Sequence, residues 1–303
     1  MMSRLEDSSL TPGGWKLILD GPNAGCYNMA VDEVLLNQVS NQADLPVTYV
    51  RFFQWDKATL SLGFSQKVAR AVNLDFCKRK KIDLVRRITG GKAVLHDREI
   101  TYSVVSNDPY FFPLRDIVET YKLIALALRL GFKAMGLDTQ LASRAIRPAA
   151  LKEKSSSACF AISHHYEILC RGRKLVGSAQ RRTKSAFLQH GSILLEFDPV
   201  QLANAISCQD HLNLDLQVTS LARCLGYTPT PAEVMAHLQK AFQDFFNIRF
   251  ELIGMSGSPL QDVAEKLSRS KYAFVDWSRS AGTTASTGRM SLGGSQQHQR
   301  PGM

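Results

Sequence analysis

Strand-like runs follow one another in this chain where many folds would alternate strand with helix, and that order restricts the architecture more than any other feature. Residues 47–53, 58–63, 83–87, 93–95 and 99–106 read as strands, with one helix expected among them near 73–80. Three further strands are expected at 166–170, 174–182 and 186–195. Strict alternation would point to a doubly wound parallel sheet. Runs of strands point to an α+β fold, a mixed or antiparallel β-sheet packed by helices. Apolar residues at helical spacing supply the packing elements: a helix through Met29–Leu36 with Asn28 as its cap, one over 116–130 stopped by Gly131, and one over 231–246.

The organisation along the chain follows from these elements. A disordered leader is expected at 1–14 and a catalytic-type domain at 15–197. A smaller helical C-terminal segment of the same unit is expected at 198–279, and a Ser-, Gly-, Thr- and Gln-rich disordered tail at 280–303. The polar connection at 143–158 has no periodicity, and a long loop of that kind is often functional. No apolar run approaches the roughly 20 residues that cross a bilayer, so no membrane segment is expected. The first residues lack the apolar stretch of a secretory signal. Six cysteines without C-x-x-C or zinc spacing read as reduced thiols of a cytoplasmic protein, with no metal site.

Lys and Arg number 37 against 27 Asp and Glu, a net charge of +10. The basic runs 78–81, 86–87, 171–174 and 181–184 are not interleaved with aromatics, so nucleic acid is not the expected partner. A solvated basic face, an anionic ligand and an acidic protein partner remain open.

Three stretches have the composition of a site. In Arg86-Arg87-Ile88-Thr89-Gly90-Gly91-Lys92-Ala93-Val94-Leu95-His96 a glycine pair lies between strands. Such a pair frees backbone N–H groups to face a ligand, and the arginines add fixed charge; a hairpin with incidental charge fits equally well. Neither a phosphate-binding G-x-x-x-x-G-K-[ST] loop nor a dinucleotide G-x-G-x-x-G turn is present. In Lys174-Leu175-Val176-Gly177-Ser178-Ala179-Gln180, alternation puts Lys174, Ser178 and Gln180 on one face, as in a pocket wall or a half-exposed edge strand. In Ser155-Ser156-Ser157-Ala158-Cys159-Phe160, small polar residues leave a cysteine accessible, whereas most lone cysteines are buried and inert. His164 and His165 read either as bases or as surface residues, and His190 either as a strand histidine that meets a pocket or a partner or as a satisfied structural one.

Taken in order, these segments and Gln189-His190-Gly191-Ser192-Ile193-Leu194-Leu195 resemble the biotin/lipoate protein ligase and octanoyltransferase family over about residues 15–280. The Ser-Ser-x-x-Cys-Phe segment, with Tyr166-Glu167 following, is similar to the LipM-type octanoyltransferases of that family. The resemblance implies transfer of an octanoyl group from acyl carrier protein to a lysine of a lipoyl-carrying protein. Glycine cleavage H protein and the acyltransferase subunit of a 2-oxoacid dehydrogenase are such acceptors. It implies Cys159 as the acyl-carrying nucleophile and Lys174 as its catalytic partner. It places Arg86, Arg87, Thr89, Gly90, Gly91, His96, Gly177, Ser178, Ala179 and His190 at the substrate. No cofactor is implied, because a thioester donor is already activated. ATP and magnesium would be needed by the alternative on the same scaffold, an ATP-dependent lipoate–protein ligase. A lipoyl amidotransferase is a third possibility.

Overall fold

The computed structural model describes residues 13–42, 45–142, 166–206 and 211–273. Most of the leader, the 143–158 connection, Cys159, His164, His165 and the tail lie outside the described residues.

In chain order the elements are β1 (Gly14–Asn23), α1 (Gly25–Asn41), β2 (Val47–Trp55), β3 (Thr59–Leu62), α2 (Val68–Ala71), α3 (Leu74–Arg79), β4 (Asp83–Arg86), β5 (Val94–His96) and β6 (Glu99–Ser106). They continue with α4 (Ile117–Ala134), β7 (Thr139–Leu141), β8 (Ile168–Cys170), β9 (Arg173–Arg182), β10 (Phe187–Leu194), α5 (Pro199–Ala205), α6 (His211–Gln217) and α7 (Leu221–Leu225). The last are α8 (Pro231–Phe246), β11 (Phe250–Leu252) and α9 (Pro259–Leu267), which runs into a π-helical turn at Ser268–Tyr272. The expected α+β class with a mixed sheet is what forms. An eight-stranded sheet has the order β11-β1-β2-β6-β10-β9-β8-β7, and a three-stranded sheet has the order β4-β3-β5. In the large sheet β1 runs parallel to both β11 and β2, and every pairing from β2 to β7 is antiparallel.

Side-chain alternation divides neighbouring residues between two cores. Leu17, Phe52, Val104 and Phe187 face α4 and α8, whose Ile124, Leu128, Phe132, Leu238 and Phe242 close that layer. Their chain neighbours Ile18, Phe53, Val105 and Leu188 face α1, α9 and the π-turn through Ala30, Val31, Leu35, Ala264 and Tyr272. The strands at the centre of the sheet are therefore apolar on both faces, and the polar residues within them stand out.

Two expected boundaries are corrected by packing. Gly131 does not end its helix; α4 continues to Ala134. A Cβ on Gly131 would lie 2.8 Å from Leu238 Cδ2, so the glycine serves the close approach of α4 to α8. Asn28 does not cap α1, whose N-cap is Ala24. It lies in the first turn, where its amide donates to the carbonyls of Asn23 and Gln54 and its Oδ1 accepts from Arg51. The Asp116 side chain does cap α4, accepting from Glu119 N–H. No helix among the described residues is long and apolar enough to cross a membrane.

Candidate active site

A cleft opens where β9 and β10 of the large sheet meet the small sheet. Its walls are Gly177, Ser178 and Ala179 of β9, His190, Gly191 and Ser192 of β10, Ser61 of β3, Val94 and His96 near the glycine loop, Arg87, Thr101, Trp55 and Met29. Gly191 is required by its neighbours. A Cβ there would lie 2.6 Å from both Ser178 Oγ and the Tyr102 ring. Its absence lets the Tyr102 hydroxyl reach Ser178 Oγ at 2.7 Å and accept from Gln189 Nε2 at 2.9 Å. Burial pushes the Tyr102 phenol up to about 12, against the opposing effect of these two hydrogen bonds.

The glycine loop is braced from three sides. Arg87 donates to Ser61 O and Ser61 Oγ, and to the carbonyls of Gly90 and Lys92, at 2.7–3.0 Å. Arg86 donates to the carbonyls of Gly63, Phe64 and Gln66. Gly63 has no room for a side chain, since a Cβ would lie 1.9 Å from the Gly91 carbonyl oxygen. Gly91 itself has φ +93, the left-handed region that glycine adopts without strain. Thr89 is tied down through its hydroxyl, 2.7 Å from His190 Nε2.

Two buried histidines complete the cleft, each between a carboxylate and a hydroxyl. His190 Nδ1 is 2.8 Å from Asp32 Oδ2, and His96 Nδ1 is 2.9 Å from Glu99 Oε1. A carboxylate only accepts, so each Nδ1 carries a proton. In the neutral ring, Nε2 then accepts from Thr89 in the first case and from Ser61, at 2.7 Å, in the second. Trp55 stacks on His96 with centroids 4.0 Å apart and donates to Glu99 and Thr101. Asp32 is also 3.4 Å from Arg51, a fully buried arginine whose Nε donates to Asp20 at 2.6 Å.

Lys174 does not line the cleft. It is buried on β9 and donates to Glu167 Oε1 at 2.5 Å, a pair in which both side chains are 3% exposed. Glu167 Oε2 has no hydrogen-bond partner. Arg182, part of the basic run 181–184, is held inward. It donates to the carbonyls of Leu114 and Asp116 and to Thr120 Oγ1. Arg181 is exposed, its guanidinium 5.5 Å from the Phe64 ring.

Of the residues singled out from the sequence, Arg87, His96, Gly177, Ser178, Ala179 and His190 line this one cleft. Thr89 joins it through His190, and Gly90 and Gly91 are held at its loop by Arg87 and Gly63. Arg86 lies outside the lining, and Cys159 lies outside the described residues. Asp32, Trp55, Ser61 and Glu99 were not singled out, and Glu167 and Ser192 entered only as members of the segments that carry the resemblance, with no role assigned. A signal was present for the α1 side. Asn28 and Asp32 are polar residues one turn apart among the apolar positions of the helix, and Arg51 interrupts an apolar strand; a buried polar group requires a partner. Among the described residues no group of three potential ligands is arranged to hold a metal ion.

The chain matches the family model described as the lipoyl protein ligase A/B catalytic domain over residues 25–243. Octanoyltransferase LipM of Staphylococcus aureus is 35% identical over 272 residues, 87% of this chain and 97% of that protein. The enzymes of that name from Brevibacillus brevis and Bacillus subtilis are 36% and 33% identical, each over 87% of this chain and 98% and 97% of their own length. Among solved structures, a bipartite lipoate protein ligase from Thermoplasma acidophilum, described with its E2 lipoyl domain, superposes with a TM-score of 0.70. It is 23% identical, covering 90% of this chain and 98% of that one. Lipoate-protein ligase A bound with ATP gives 0.67 at 24% identity, covering 88% and 98%. At these identities the two structures share the fold.

Proposed function

We infer the reaction from one premise: the chain belongs to the lipoyl protein ligase A/B catalytic-domain family. It is an octanoyltransferase, an acyltransferase of lipoate biosynthesis, and its acceptor is a lipoyl domain. The observation that carries this assignment is the 33–36% identity to octanoyltransferases LipM across nearly their whole length.

Octanoyl-acyl carrier protein is the proposed donor, the cytoplasm the proposed compartment, and no cofactor is required. Cys159 is the proposed nucleophile. Its thiolate adds to the donor thioester carbonyl, the carbon–sulfur bond to the carrier breaks, and the carrier thiol leaves with a proton. The acceptor lysine amine then attacks the Cys159 thioester, gives up a proton and releases the cysteine. Lys174, held beside Glu167, supplies positive charge that favours the thiolate. The braced glycine loop presents Gly90 and Gly91 to the acyl group, with Thr89 and His190 fixing its position. Met29, Trp55 and Val94 offer apolar wall to the hydrocarbon chain, whose burial at ~0.8 kcal/mol per methylene contributes roughly 5 kcal/mol. The ATP-dependent ligases share this scaffold at 23–24% identity, below the 33–36% identity to the octanoyltransferases.

Intact-mass measurement after incubation with octanoyl-acyl carrier protein, without ATP, tests the proposal. The expected result is a gain of one octanoyl group, removed by hydroxylamine and absent from Cys159→Ala. Lipoylation of a lipoyl domain that requires ATP and survives Cys159→Ala would overturn it.

A further inference from the structure

Among the described residues, the polar side chains lining the cleft are bonded with one exception. Ser61 has His96 and Arg87, Thr101 has Glu99 and Trp55, Ser178 has Tyr102, and His190 has Asp32 and Thr89. Ser192 Oγ has no partner, although the residue is 2% exposed and lines the cleft. A buried hydroxyl without a partner is unfavourable, and a protein retains one where something else completes its bonding. The backbone aims it. Ser192 follows His190 by two on β10, so both project to the same face, with Gly177 opposite on β9 and Thr101 opposite on β6. Gly177 adds no side chain beside the hydroxyl.

An octanoyl thioester carries one strong hydrogen-bonding atom, its carbonyl oxygen. Among the described residues, Ser192 is the buried lining side chain with no hydrogen-bond partner at all. We propose that Ser192 Oγ–H donates to the acyl carbonyl oxygen and is a catalytic residue of the transfer. The role rests on the assignment of the acyl group to this cleft. When sulfur adds to the carbonyl carbon, the C=O π pair moves to oxygen and the Ser192 hydrogen bond strengthens. Collapse expels the carrier thiolate and returns the pair, and Ser192 keeps its proton throughout. The same donor serves when the amine attacks the acyl-enzyme. The acyl carbonyl is thereby fixed at the Ser192 position of β10, and the hydrocarbon extends along the cleft from there.

Three readouts separate this role from a structural one. Removing an oxyanion donor costs about 10²- to 10³-fold in rate. Single-turnover acylation by octanoyl-acyl carrier protein should fall by that order in Ser192→Ala with KM little changed, and Ser192→Thr should restore most of it. The melting temperature of free Ser192→Ala should equal or exceed that of the parent, because the substitution removes an unsatisfied group. In a Cys159→Ala background, which leaves the thioester intact, the carbonyl stretch of bound ¹³C-labelled octanoyl-acyl carrier protein should lie at lower frequency with Ser192 than with alanine. That last measurement does not depend on the cysteine. A shift without any acyl-enzyme in the parent would sustain Ser192 and overturn the Cys159 mechanism. Acylation of Ser192→Ala at the parent rate, an unshifted carbonyl, or a lowered melting temperature with no rescue by threonine would overturn the role of Ser192.

Discussion

The two sides of the cleft are built to different rules. On the glycine-loop side Arg86, Arg87, Thr89 and Ser61 each hold defined partners, and the backbone of Gly91 presses against Gly63 with no space between. On the strand side, among the described residues, four buried oxygens are left over: Glu99 Oε2, Ser103 Oγ, Glu167 Oε2 and Ser192 Oγ, of which Ser192 lines the cleft. Oxygens of this kind are costly where they stay unpaired. The braced side holds a shape, and on the strand side Ser192 keeps bonding capacity for a group that arrives with a substrate. Rigidity and reactivity have been allotted to separate walls, which lets the loop be stiff without the chemistry being frozen.

That contrast can be broken from either wall. The largest effect is expected on the strand side, at a buried pair outside the cleft lining. Glu167→Ala leaves the Lys174 ammonium buried without the carboxylate it donates to, and loss of one partner of such a pair costs about 3–5 kcal/mol. Glu167→Gln, which retains an acceptor, should lose less in a denaturant titration. If both variants are as stable as the parent, the pair is not the anchor of this wall.

Next comes the alkaline behaviour of Tyr102, which joins β6 to β9 and β10. Burial pushes its folded pKa up to about 12, above the ordinary phenol value of 10.0, so the folded state holds the proton more tightly. Stability from this group is complete below pH 10 and declines as pH rises toward 12. A shift of this size corresponds to about 3 kcal/mol. Denaturation curves through that range should show the decline, and Tyr102→Phe should remove this component of it.

On the braced side, Gly63→Ala forces a methyl into the Gly91 carbonyl, and overpacking of this kind costs about 1–3 kcal/mol. Octanoyl transfer should slow more than the loss of stability accounts for, because the loop is displaced from the cleft. A variant with full activity would show that the loop need not be rigid. The smallest effect on folding is expected at the rim. Arg181→Glu alters an exposed charge and should change stability by no more than about 0.5 kcal/mol. It should instead slow encounter with an acidic carrier and flatten the dependence of rate on salt.

The walls were also unequally legible in the sequence. The glycine loop is visible, because Gly90-Gly91 and two arginines lie close together between two strands, although a hairpin with incidental charge fits that composition as well. The strands 99–106 and 173–182 follow from alternation to within a residue. The partners of the histidines do not. Asp32 is 158 residues from His190, and Ser61 is 35 from His96, so only tertiary packing brings them together. Local periodicity identifies Asp32 and Arg51 as polar residues on apolar elements, without saying what they meet. Gly131 misled for a related reason. A glycine near a helix end reads as a stop, but here its missing side chain is used by α8, a helix about a hundred residues downstream.

The pairing of β11 with β1 bears on how the molecule is assembled. Trp15 pairs with Phe250 in parallel register, so the neighbour of the first strand comes from near the end of the described chain. A chain leaving the ribosome cannot finish the sheet until residue 252 has emerged, and until then β1 presents an unpaired edge. Contacts this distant in sequence form slowly, because a long loop must close before they stabilise anything. Three residues are enough to cover that edge, and a strand so short offers little template to another chain.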